Sequence, residues 1–96
     1  MTDAQVAELN LRVDLAGMGR GVPFKPDWTD LSFVLKTLEK WRQKSPETRW
    51  YGTRSAFKDE PPNGSLWEGD TEYCEAELPA ALLVALRREQ EGKQST

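Results

Sequence analysis

Ala80-Ala81-Leu82-Leu83-Val84-Ala85-Leu86 is wholly apolar, and this run constrains the chain more than any other feature. It is apolar on every side of a helix, so a helix built on it must be surrounded by the rest of the fold. Pro79 suits the first turn of such a helix, where no amide donor is needed. Arg87, Arg88 and Glu89 bring the helix back to the surface. Gly92 is the expected stop, with residues 93–96 a frayed tail and residues 1–92 a single domain.

A chain of 96 residues holds one core. The single cysteine excludes an internal disulfide and fits a reducing compartment. The polar start, Met1–Gln5, predicts no signal peptide, and no apolar run nears the ~18 residues of a membrane span. The expected location is therefore the cytoplasm. There are no histidines, which removes Ser-His-Asp triads, Cys-His dyads and histidine-containing zinc sites. A net charge of -3 argues against wholesale nucleic-acid binding.

Two further helices are legible. Thr2 and Gln5 stand at capping-box spacing, and Val6, Leu9, Val13 and Ala16 then share one face, with Gly17 as a stop. Ala4, Leu11 and Leu15 form a second apolar stripe. A helix with two apolar faces is either sandwiched within the domain or meets another chain; sandwiching is the expectation. In the second helix Leu31, Val34, Leu35, Leu38 and Trp41 repeat at steps of three and four after the caps Asp27, Thr29 and Asp30. Ser45-Pro46 closes it. Phe33 lies off that stripe and is expected to touch a neighbouring element.

Arg49–Phe57 reads as a strand, Lys58–Ser65 as a turn region around Pro61-Pro62 and the reverse-turn signal Asn63-Gly64. Ser65–Glu68 and Thr71–Ala76 read as shorter strands about a tight Gly69-Asp70 turn. The fold class is α+β: a small α-β-α sandwich in the order helix, helix, three antiparallel strands, helix.

Motifs that would announce chemistry are weak. Gly17-Met18-Gly19-Arg20-Gly21 follows a helix and precedes Pro23, so it is a connector rather than a dinucleotide fingerprint. Glu68, Asp70 and Glu72 lack calcium-loop spacing, and Cys74 has no histidine to activate it. No metal, cofactor or catalytic residue is expected. Asn63-Gly64-Ser65 matches a glycosylation sequon and reads only as a turn.

Charge is segregated. Residues 36–58 carry seven basic side chains against Glu39 and Glu47, whereas residues 59–77 carry seven acidic ones and no basic one. The two segments either neutralise one another across the sheet or leave an acidic face, with Glu68, Asp70, Glu72 and Glu75, for a basic partner. Aromatics accompany them: Trp50, Tyr51 and Phe57 with the basic segment, Trp67 and Tyr73 with the acidic one. Arg20, Arg49, Trp50 and Arg54 are the candidates for an alternative small-ligand or nucleotide site.

Pro26-Asp27-Trp28-Thr29-Asp30-Leu31 with its helix to Trp41, and Glu75-Ala76-Glu77-Leu78 with the closing helix to Leu86, resemble the phage ABA sandwich family and related lambdoid NinX-like proteins. The resemblance covers roughly residues 22–90 and implies an α-β-α sandwich of phage or prophage origin. It transfers no catalytic residue. The expected function is that of a non-catalytic accessory protein in the host cytoplasm, monomeric or homodimeric. It would bind and modulate a host protein with a basic surface, a defence component among the candidates. The alternatives are a small-ligand binder and a nucleic-acid accessory protein using residues 36–58.

Overall fold

Thr2 starts α1 (Asp3–Leu15) as the capping box requires: its hydroxyl accepts from the Gln5 amide, and the Gln5 side chain accepts from the Thr2 amide. The computed structural model describes residues 1–18, 26–54, 60–73, 75 and 77–94. Gly17 follows α1 at φ +75°. Asp30 caps α2 (Leu31–Lys44) through the Ser32 amide. Trp28, just upstream, donates its indole N–H to Asn10 of α1 at 2.7 Å and meets Phe33 edge to face at 5.0 Å. Phe33 thus contacts the turn that precedes its own helix.

Three strands follow, β1 (Thr48–Thr53), β2 (Asn63–Glu68) and β3 (Thr71–Tyr73), paired antiparallel in the order β1-β2-β3. The Gly69-Asp70 turn joins β2 to β3, with Gly69 at φ +61°, a conformation that favours glycine. α3 (Leu78–Gln94) closes the chain. The fold is α+β in the expected order.

The helices α2 and α3 converge on one side of the sheet. A Cβ placed on Gly52 would touch side chains of both Leu31 and Leu78, the first residues of the two helices. Leu66 and Tyr73 are buried on that side and face each other in the register. One core joins Leu9 and Val13 of α1, Val34, Leu38 and Trp41 of α2, the two sheet residues, and Leu78, Leu82 and Leu86 of α3. Most of the apolar run is enclosed: Ala81, Leu82, Leu83, Ala85 and Leu86 are buried, and Ala80 and Val84 are partly so.

Several boundaries differ from expectation. Asn63-Gly64 is not a reverse turn: it pairs with Thr53 and Gly52 as the start of β2, and neither residue has positive φ. The strand wins because Gly64 lets the two backbones approach, and the connection lies upstream of Asn63. Arg54 and Glu75 are not in strands, so the first strand and the third do not run unbroken to the expected ends, which themselves lie outside the described residues. α3 runs through Gly92 to Gln94, since one glycine in an exposed helical turn costs only ~1 kcal/mol. The expected roles of Gly19, Arg20, Gly21, Pro23, Phe57 and Cys74 lie outside the described residues.

Candidate protein-interaction surface

The face of α1 that carries Leu9 and Val13 is buried, but its second stripe is not sandwiched. Leu11 is 58% exposed and Leu15 69%, with Ala4 and Ala7 exposed on the same side. The core needs only one face of this helix, because α3 supplies an apolar surface on every side. Leu11 and Leu15 line a groove of about 560 Å³ between α1 and α3, with Ala16 and Arg12 beside them, Lys44 from α2, and Gln90 opposite. Lys44 also borders a smaller recess against Gly17 and Met18, where Lys40 donates to the Met18 carbonyl at 3.2 Å.

A clasp of charged groups fixes the groove's walls. α1 and α3 run side by side in the same direction, so that Glu8 meets Arg87 and Arg12 meets Gln90 and Glu91. Arg87 holds the Glu8 carboxylate with two N–H donors, each at 2.5 Å, in the bidentate fork suited to arginine. Arg12 donates to the same carboxylate at 2.7 Å, and Gln90 donates to the Arg12 carbonyl at 2.9 Å. The Arg87 hydrogen bonds, then that of Arg12, hold the Glu8 carboxyl well below its ordinary 4.5, at about 2. Glu8 in turn raises the Arg87 pKa.

Because the folded Glu8 pKa is depressed, the clasp contributes stability that is fully present above pH 4.5 and is lost as pH falls towards 2. Glu8→Gln should therefore be less stable than the parent at neutral pH, and the two urea midpoints should converge over that window. A constant gap down to pH 2 would show that the carboxylate charge is not what the arginines stabilise.

The sheet presents a second surface. Alternation puts Arg49, Tyr51 and Thr53 of β1, Asn63, Ser65 and Trp67 of β2, and Glu72 of β3 on the side away from the helices. No helix among the described residues covers it, and Tyr51 is 64% exposed there. Trp67, half-buried, lies between Arg49 and Glu72 in the register.

The candidate acidic residues are not gathered on one side of the sheet. Glu68 faces the helix side, where its carboxylate accepts from the Tyr73 hydroxyl at 3.5 Å, whereas Glu72 faces the open side. Asp70 is exposed in the turn and Glu75 beyond β3. The alternative set separates too. Trp50 packs on the helix side beneath Arg42, whose guanidinium carbon is 4.8 Å from the ring centroid, while Arg49 points the other way. Arg54 follows β1, and Arg20 lies outside the described residues. Among the described residues the ion pairs join α1 to α3, Arg12 to Glu8, and the N-terminus to Glu77. None of these pairs links the basic segment to the acidic one. The Leu11 and Leu15 stripe was visible in the sequence; its exposure and its groove partners on α3, nearly 80 positions away, were not.

Comparison with protein-family models, with curated proteins and with solved structures finds no match to this chain.

Proposed function

We propose that this protein acts by binding another protein rather than by catalysis, with the outer stripe of α1 and its groove as the docking surface. The observation that carries the reading is the exposure of Leu11 and Leu15, one turn apart, at the mouth of the groove. Large apolar side chains exposed together beside a concave surface mark interaction sites. The occupant is an amphipathic helix of the partner, which recognises such a groove through apolar anchors one turn apart. A second copy of the chain is disfavoured, since this narrow stripe supplies little of the ~800 Å² per partner in a standard interface. The resemblance to small phage proteins supports a host protein as that partner. Exposed Asp70, Glu72 and Glu75 would speed capture of a partner with a basic surface, steering it rather than anchoring it.

Leu11→Ser with Leu15→Ser tests the reading. Both side chains are exposed, so stability should change by less than about 0.5 kcal/mol. Capture of the host protein retained by the parent should fall at least tenfold. Equal capture by the variant, or no protein retained by the parent, would overturn the proposal. The groove volume also suits a small amphiphile, with Leu11, Leu15 and Ala16 beneath its apolar part and Lys44 near its anionic end. A small mass retained in native mass spectrometry and lost in the same variant would favour that second reading.

A further inference from the structure

The sheet is electrically polarised from edge to edge. β1 forms one edge, with Arg49 in the strand, Arg54 just after it and Arg42 above Trp50. Asp70, Glu72 and Glu75 lie in or beside β3 at the other. β3 is three residues long, and a short edge strand offers little to pair with. β1 is six residues long and contains neither proline nor lysine, two of the devices that commonly blunt an edge. Among the described residues only β2 pairs with it. Arg49 and Arg54 enter none of the ion pairs formed among the described residues.

We infer that the outer edge of β1, unpaired among the described residues, accepts an extended acidic peptide segment of a partner protein as a fourth strand. Main-chain hydrogen bonds along β1 would supply affinity, and alternating side chains would supply specificity. Residues of the peptide directed to the helix side would meet Trp50 and Arg42, and those directed to the open side would meet Arg49 and Tyr51. A carboxylate fits beside an arginine on either side, and an apolar or aromatic residue fits beside the rings. The arginines and aromatics could also attract single-stranded nucleic acid. An edge that is unpaired among the described residues favours a peptide, because a nucleic acid cannot continue a backbone ladder. This site is separate from the α1 groove and does not depend on it.

A short alternating Val-Glu peptide, titrated into the full chain at physiological salt, tests the inference. The amides of Thr48–Thr53 should shift, and those directed away from β2 should gain protection from exchange, with affinity at least tenfold above that of a Val-Lys peptide of the same length. Arg49→Glu with Arg54→Glu should reverse the preference, and a Val-Glu peptide N-methylated at alternate residues should not bind. The Leu11→Ser, Leu15→Ser variant should bind the peptide as the parent does, which keeps failure at this edge distinguishable from failure of the groove. No binding by the Val-Glu peptide, or equal binding by its N-methylated form, would sink the idea. Two other results would assign the edge differently and overturn it: preferential binding of oligothymidine at the same amides, or a dimer that Glu72→Lys abolishes.

Discussion

Leu82→Ala is expected to lower the unfolding free energy by about 2–5 kcal/mol, as deletion of a fully enclosed leucine does. Leu82 has no exposed surface and sits in the cluster where α1, α2, α3 and the sheet meet. That cluster draws its side chains from all three helices and the sheet, and a packed site of this kind collapses only in part when a leucine is removed. A domain of this length holds roughly 5–14 kcal/mol, so the variant would lose a large share of its stability. The urea midpoint should fall with little change in slope, the sign of lost stability without a change in the surface exposed on unfolding. Val84→Ala, at a half-buried position of the same helix, should cost less. A loss below about 0.5 kcal/mol at Leu82 would place the apolar run outside the core.

Gly64→Ala should be comparably damaging for a different reason. A Cβ at this position would lie 2.1 Å from the Tyr51 carbonyl oxygen and 3.0 Å from the Gly52 Cα. Those obstacles are backbone atoms of β1, so relief requires the strands to move apart rather than a side chain to rotate. Overpacking that forces backbone shifts costs about 1–3 kcal/mol and sometimes more; the upper end is expected here. The loss should be local in origin: amide protection should fall first in Tyr51–Thr53 and Asn63–Ser65, where the register brings the two strands together. Gly52→Ala is the matched comparison. Its Cβ would press on the ends of the Leu78 and Leu31 side chains, which can rotate away. Equal losses at the two glycines would show that the close backbone approach at position 64 costs no more than displacing two side chains, and would overturn this account.

The elements set by neighbouring residues were legible from the sequence. The Thr2–Gln5 capping box, the Asp30 cap, the 3.6-residue periodicity of α2 and the Gly69 turn each depend on contacts within a few positions. The apolar run likewise declared its burial without reference to the rest of the chain. Asn63-Gly64 misled because a dipeptide that suits a turn also suits a close strand pair, and only the partner strand decides between them.

The sequence by itself thus determined the helix caps, the α+β order, the burial of α3 and the existence of two apolar stripes on α1. Tertiary structure decided which stripe the core would use, and it left Leu11 and Leu15 outside. It also brought Glu8 to Arg87, set Glu68 and Glu72 on opposite sides of the sheet, and placed basic and acidic residues at opposite edges. The physical reason is the range of the interactions. Caps, turns and periodicity are fixed by atoms a turn or two away, whereas exposure, ion pairing and surface charge depend on which distant elements cover each side chain.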